Sequence, residues 1–335
     1  MKILLNTLLN FNYKYQLNKK LGGVELLNYF LARELTKLKH NVVVPSNKKI
    51  IFTKNKIKFI PLNKVKSYSN NLKFDTIISS NDAKIFNYYN NSKKILWLHN
   101  QLQIEKAIRK KQILSIIKTR PIAIFVSNYL KNKTSNLYLF KKRKVIPNFL
   151  IPKFINKKVN FLRKPIFVWS VQRSKGLEET ISLWSRDIYP NFKNAKFYIY
   201  GINKLSNKYN LKNLSYKNIF FKGRVNQSEL NKIYSKSMGM ICLGYDETFC
   251  LNALEANACG LPIISFGKTA LKELILNNYN GFIVNDYNLI SKKIAEVIRF
   301  SKSCRKKFIN NSINHSKKYY INKIIYKWNS VFNYQ

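Results

Sequence analysis

Short apolar runs alternate with amphipathic stretches along almost the whole chain. Positions 2–9, 41–45, 75–79, 94–98 and 122–126 each hold a short apolar run, the mark of parallel strands buried on both faces. Between them, 23–38 sets Val24, Leu27, Leu31, Leu35 and Leu38 at three- and four-residue spacing, which is one face of a helix. The stretch 101–118 reads the same way. The pattern lapses over the Lys- and Pro-punctuated residues 149–165, where an interdomain linker is expected. It restarts with predicted strands at 166–171, 196–200, 218–221, 239–243, 262–265 and 281–284. Predicted helices lie at 177–186, 227–236, 251–259 and 269–276, and helical patterns run on to the end. Two βαβ domains in tandem would place a cleft between the carboxyl ends of two sheets, where ligands bind in open α/β folds. The final helix, with Tyr320, Ile324, Ile325, Trp328 and Phe332, should pack apolar residues across both.

A length of 335 residues suits two domains and lets a core form without disulfide or metal staples. Composition alters the view of the surface. Lys and Arg number 61 against 15 Asp and Glu, a formal net charge of +46. With 46% hydrophobic residues and 14% aromatics, the chain is no disordered polycation. So basic a skin suggests a nucleic-acid or anionic-membrane partner. The excess is nearly all Lys, however, accompanied by much Asn and Ile, the residues that A/T-rich codons specify. Base composition alone would yield the same surface. Arg, the better residue for bidentate contacts to phosphate or guanine, is too sparse for a nucleic-acid reader. The candidates for a membrane-facing surface are 48–66 and 106–120, with Lys48, Lys49, Lys54, Lys56, Lys58, Lys106, Arg109, Lys110, Lys111 and Lys118; solvated lysines are the plainer account of them.

Cys242, Cys250, Cys259 and Cys304 form no C-x-x-C pair, and His40, His99 and His315 add no finger-like spacing, so no metal site is expected. Buried free thiols in a reducing compartment fit better. No apolar run reaches the roughly 18 residues of a membrane span. Met1 to Leu9 imitates the start of a signal peptide, but it lacks a small-residue cleavage site and Asn6 interrupts it. A first buried strand is the expectation.

Four segments carry candidate chemistry. The strongest is Glu247-Thr248-Phe249-Cys250-Leu251-Asn252-Ala253-Leu254-Glu255, running on to Gly260 and Pro262. Glu247 falls in the loop after a strand, a helix starts near Leu251, and Glu255 lies about one turn into it. Free N–H groups at that start suit phosphate, and a carboxylate one turn on can accept two hydrogen bonds from a sugar diol. The plain alternative is a loop-to-helix junction with surface carboxylates. In the second segment, Trp169 to Glu178, a strand ends, Arg173 and Lys175 follow, and a helix opens. Two cations and a helix start would neutralise a diphosphate leaving group without a metal, unless they are merely solvated. Third, Gly22-Gly23 between the first strand and first helix lets backbone approach a ligand closely, although a tight turn explains the pair almost as well. Fourth, His99 ends the apolar strand of Trp97 and Leu98, with Asn100 behind it as an acceptor contact. A lone His is more often structural, but a strand's carboxyl end favours a site.

In these segments the chain resembles the family-4 glycosyltransferases, the retaining GT-B family with the signature E-x7-E and E-A-x-A-x-G-x-P. Glu247 and Glu255 have that spacing, and Phe249, Ala256, Gly260 and Pro262 match. Weaker matches follow in the family's order: Val126-Ser127, Val145-Ile146-Pro147-Asn148, Tyr200-Gly201, Lys222-Gly223, and Glu273 before Asn280-Gly281. The resemblance implies an α/β GT-B fold, two Rossmann-like domains facing a central cleft. An acceptor-side domain would span 1–150, a linker 151–165 and a donor domain 166–316, with a helix at 317–335 returning toward the first domain. It implies that Glu255 holds the donor ribose, that Glu247 holds the donor sugar, and that the backbone of Phe249, Cys250 and Leu251 approaches sugar and diphosphate. Gly22-Gly23 would face the donor phosphates, His99 the reacting sugar, and Lys175 the diphosphate. Two departures stand out. The family usually has Gly where Cys250 stands, and it commonly has Arg at the position of Ser170, so Arg173 must supply the guanidinium or the role is lost.

The expected activity is retaining, metal-independent transfer from a nucleotide-diphosphate sugar, a UDP- or GDP-sugar, to a hydroxyl of a glycan, lipid-linked sugar or surface polysaccharide precursor. No further cofactor and no specific nucleic acid are expected. The expected place is the cytoplasm, free or peripheral on the inner membrane face. Two alternatives remain open: a nucleotide-sugar epimerase of the same fold, against which the E-x7-E spacing argues, and a basic membrane- or nucleic-acid-binding protein on this scaffold.

Overall fold

The computed structural model describes residues 1–12, 14, 21–67, 73–109, 111–155, 159–202 and 214–332, with backbone alone at 104, 106 and 109. The side chains of Lys106, Arg109 and Lys110 thus lie outside the described residues. The chain divides into two compact units, Met1–Phe149 with Ile321–Gln335, and Leu150–Tyr320.

Unit 1 is built on an eight-stranded sheet: β1 (Lys2–Asn6), β2 (Asn41–Ser46), β3 (Phe52–Lys54), β4 (Ile57–Pro61), β5 (Thr76–Ser80), β6 (Lys93–Leu98), β7 (Ile122–Phe125) and β8 (Lys142–Val145). Its order is β3-β4-β2-β1-β5-β6-β7-β8, with only the β3–β4 pair antiparallel. The five apolar runs all became strands, and their central residues, Leu4, Val44, Ile77, Leu96 and Ile124, are fully buried. The hairpin β3–β4 and the edge strand β8 were not predicted. Lys142-Arg143-Lys144-Val145 is only half-buried throughout, so an edge strand can be cationic and shows no apolar run. Helix Gly23–Lys37 buries Leu27, Leu31 and Leu35 as its spacing predicts. The single helix expected at 101–118 is two, Ile104–Arg109 and Gln112–Thr119, broken where Lys111 takes a left-handed φ of 53°. The last helix, Ile321–Phe332, joins this unit: Trp328 is fully buried, its ring 5.0 Å from that of Trp97.

Unit 2 holds a six-stranded parallel sheet: β9 (Lys164–Trp169), β10 (Lys196–Tyr200), β11 (Ile219–Gly223), β12 (Ser237–Ile241), β13 (Ile263–Ser265) and β14 (Gly281–Ile283), in the order β11-β10-β9-β12-β13-β14. Each lies within two residues of its predicted place at either end. The helix expected at 269–276 shrinks to Leu271–Leu274, and the one expected at 177–186 ends at Leu183 in a wide turn, Trp184–Ile188. Among the described residues no helix is long and apolar enough to cross a membrane.

Candidate active site

In unit 2, β9 connects to β10 on one side and pairs with β12 on the other. The loops after β9 and β12 therefore diverge, leaving a crevice at the carboxyl ends where open α/β sheets bind ligands. Both candidate segments of this unit leave the sheet there. After β9 the chain makes a tight turn, Arg173–Lys175, closed by Gly176 at φ 103°. Glycine is required twice over: that φ is left-handed, and a Cβ would lie 2.7 Å from Leu243 just past β12. The close approach presses the lysine turn onto the loop that carries Glu247. Lys175 Nζ donates to the Asp246 carbonyl at 2.8 Å. Burial pushes the Glu247 carboxyl above its usual value, and the Lys175 charge partly offsets this.

Arg173 is otherwise engaged. Its Nε donates to Glu178 Oε1 at 3.0 Å and its Nη2 to the same oxygen, so its charge is already paired. Ser170, at the family's usual Arg position, shares a hydrogen bond of 2.6 Å with the hydroxyl of fully buried Tyr234, and its carbonyl accepts from Asn252 Nδ2. Position 170 is thus a clasp between β9 and the following helices, with no cation to offer. Sequence reasoning missed this clasp. Asn252 lay inside the quoted signature without a role, and Tyr234 carried no signal beyond an apolar setting.

The loop after β12 ends at Cys250, whose φ of 68° and ψ of 78° are left-handed, immediately before helix Leu251–Ala258. Glycine takes that conformation freely and any other residue at roughly 1 kcal/mol or more, which gives the family's preference a physical basis and marks Cys250 as strained. Its Sγ lies 4.0 Å from Cys242 Sγ. Contact with that thiol, together with burial, keeps it protonated. Cys242 and Cys259 are also buried free thiols, as expected, but Cys304 is partly exposed. Phe249 is buried edge-on to Tyr319, with ring centroids 5.9 Å apart. The N–H groups opening the helix at Leu251 have no intrahelical acceptor. Glu255 stands one turn further on. It keeps partial solvent access but lies deep in the fold, and burial pushes its carboxyl up to about 8.

Unit 1 has a crevice of the same kind, where β1 lies between β2 and β5. Gly22 precedes helix Gly23–Lys37 with φ −74°, a conformation open to any residue, and a Cβ there would meet the Glu25 carboxylate at 2.5 Å. Ser80 at the end of β5 donates to Asn28 Oδ1 of that helix at 3.0 Å, and the Asn81 amide oxygen accepts from the His99 N–H at 2.8 Å. The helix that Gly23 opens and His99 are thus tied to adjacent residues at the end of β5, Ser80 and Asn81, and Asn100 joins through the same Asn81 oxygen at 3.3 Å. His99 is buried against Trp97, ring centroids 4.3 Å apart, and burial lowers its pKa to about 3. Among the described residues no group of three or more His, Cys, Asp or Glu is gathered as if to hold a metal ion.

Residues 153–315 match the family described as glycosyl transferases group 1. The chain carries a group 1 glycosyltransferase domain. Over 238 residues it is 28% identical to an uncharacterised glycosyltransferase of Methanocaldococcus jannaschii, a match that covers 67% of this chain but only 64% of that protein. The glycosyltransferase domain and the unit before it also resemble solved structures along nearly their whole length. Sucrose-phosphate synthase from Thermosynechococcus elongatus superposes with a TM-score of 0.75 at 14% identity, covering 99% of this chain and 98% of that one. HepE of Anabaena, solved in complex with UDP and glucose, gives 0.73 at 14% identity, covering 99% of each chain. At such identities the likeness concerns the fold, and it bears out the α/β GT-B expectation.

Proposed function

We propose that this chain is a retaining, metal-independent glycosyltransferase that moves a sugar from a UDP- or GDP-sugar to a hydroxyl of a glycan, lipid-linked sugar or polysaccharide precursor. One observation carries the reading: Lys175 is pressed onto the Glu247 loop at the switch point of the unit 2 sheet, beside a helix start with Glu255 one turn further on. That HepE was solved with UDP and glucose supports a nucleotide donor on this fold. In this reading Lys175 and the N–H groups at Leu251 take up the charge that grows on the leaving diphosphate. Arg173 adds a second cation when it leaves Glu178. Glu247 holds hydroxyls of the donor sugar, Glu255 those of the ribose, and the backbone of Phe249, Cys250 and Leu251 lines the path between them. In unit 1, Gly22 and Gly23 face the donor phosphates. His99, neutral at any working pH, orients the reacting sugar by hydrogen bonding and does not exchange its proton. The transition state is oxocarbenium-like. The acceptor hydroxyl attacks from the leaving-group side and passes its proton to the departing phosphate, so configuration is retained. The enzyme works in the cytoplasm, peripherally bound to an anionic membrane face.

Two variants test the assignment. Glu255→Ala should lose the thermal shift that UDP or GDP gives the parent. Lys175→Ala should keep most of that shift while transfer slows by about 10²–10³. A Glu255→Ala protein that binds nucleotide and transfers sugar like the parent would remove the assignment.

A further inference from the structure

Helix Gln112–Thr119 in unit 1 buries Ile116 but turns two of its four large apolar residues outward. Its buried residues include Gln112 and Ser115, while Leu114 is 73% exposed and Ile117 44%. Ser115 Oγ accepts a hydrogen bond of 2.9 Å from Asn87 Nδ2, which fixes this face inward. A helix that had only to pack would turn its leucine to the core. Beside it, at the turn Asn136–Tyr138, Leu137 is 76% exposed and Leu139 55%. The turn is held in place: Tyr138 donates to the Leu102 carbonyl at 3.1 Å, and Arg120 Nε to the Leu139 carbonyl at 3.4 Å. Four large aliphatic side chains thus stand in water on neighbouring elements.

The charge around them has one sign. Lys111, Lys118, Arg120, Lys133 and Lys141 are exposed on or just beyond these segments, and between Glu105 and Glu178 the sequence contains no carboxylate side chain. Where β6 and β7 begin, at the end of this helix, Lys93, Lys94, Arg120 and Lys141 line a cavity of about 200 Å³. It opens at the amino ends of these strands, the opposite end of the sheet from His99. Burial lowers the pKa of Lys93, and the charges of Lys141 and Lys144 lower it further, a sign of crowded cations.

We propose that this surface docks on an anionic lipid bilayer. Leu114, Ile117, Leu137 and Leu139 enter the boundary between headgroups and acyl chains, and the surrounding cations meet lipid phosphates. Aliphatic side chains within a cationic rim match a bilayer, which offers apolar depth and negative charge in one layer. Single-stranded nucleic acid would call for aromatic stacking platforms, and the exposed apolar residues here are Leu and Ile. The inference rests on the peripheral membrane association proposed above and gives it a location.

Flotation with vesicles of phosphatidylcholine, with and without phosphatidylglycerol, tests it. The parent should float only with the anionic vesicles. Leu114→Ser/Leu137→Ser should weaken partition about tenfold or more, and Lys111→Glu/Lys118→Glu at least fivefold per lysine replaced. Neither double variant should melt below the parent, because all four residues are exposed. A parent that does not float on anionic vesicles overturns the membrane association and this surface together. A parent that floats, with both double variants floating equally well, overturns this surface alone. Salt-sensitive binding to a random duplex without vesicle binding would assign the surface to nucleic acid, and so overturn the proposal. A thermal shift with UDP, run alongside, reads the donor assignment separately.

Discussion

At neutral pH the Glu255 carboxyl is mostly protonated, because ionising it at that depth in the fold is costly. This gives the residue a pH signature. Between the ordinary value of 4.5 and about 8, the folded chain keeps a proton that the unfolded chain has released. Unfolding free energy should therefore fall as pH rises through that window. Glu255→Gln should remove this slope, raising the melting temperature over the parent at pH 8 and scarcely at pH 4.5, as calorimetry can check. The parent's affinity for UDP should climb as pH passes 8, because only the ionised carboxylate accepts both diol protons, and the Gln variant's should not. The spacing of Glu247 and Glu255 was legible in the sequence because it lies within one loop and one helix. The clasp of Ser170 with Tyr234 was not, since it joins residues 64 apart across the sheet. Glu178, the partner of Arg173, stood in plain view five residues on. The turn that brings the two together has no helical period, so no spacing rule pairs them.

Among the elements, the strands that the sequence hid all lie at the two ends of the unit 1 sheet, β3 and β4 at one and β8 at the other. A central strand such as β6 must be apolar on both sides, whereas β8 needs only a ladder partner and carries three consecutive cations. Helix Gln112–Thr119 kept its helical period in the sequence and hid its orientation, because its apolar residues do not all face the core. The stretch read as linker holds a further surprise in Arg163. Its guanidinium is buried and donates to the carbonyls of Tyr234 at 2.8 Å and Cys259 at 2.9 Å, at the carboxyl ends of helices Gln227–Tyr234 and Leu251–Ala258. Burial lowers its pKa to about 10, so it stays charged at neutral pH and complements both helix dipoles. Arg163→Met should cost unit 2 about 3 kcal/mol by orphaning two buried carbonyls, visible as a lower urea midpoint. An unchanged midpoint would mean that the two helix ends are held by something else.

On the scale of the whole molecule, charge sets the terms. With 15 carboxylates for 61 basic side chains, most cations have only other cations or solvent to face, and the folded state carries their repulsion. Salt should relieve it: the melting temperature should rise between about 20 and 200 mM sodium chloride, as the screening length shortens below typical charge spacings. A melting temperature that falls with salt would show that a few specific ion pairs outweigh the general repulsion. The net charge was fully legible in the composition. Its arrangement was not, because the carboxylate-free stretch gains meaning only once Leu114 and Leu137 are known to stand outside.

The backbone N–H of Leu150 donates to the Tyr319 carbonyl at 2.8 Å, and Leu150 pairs with Tyr320 in an isolated bridge. The first and last residues of unit 2 therefore lie side by side, while unit 1 is made from the two ends of the chain. In topological terms unit 2 is an insertion with abutting ends, a cassette set into a host after Phe149. Such a cassette can be exchanged as one continuous piece of gene without rethreading the host. Recombination could thus replace the unit that carries Lys175, Glu247 and Glu255 while leaving the exposed leucines and their lysines in place.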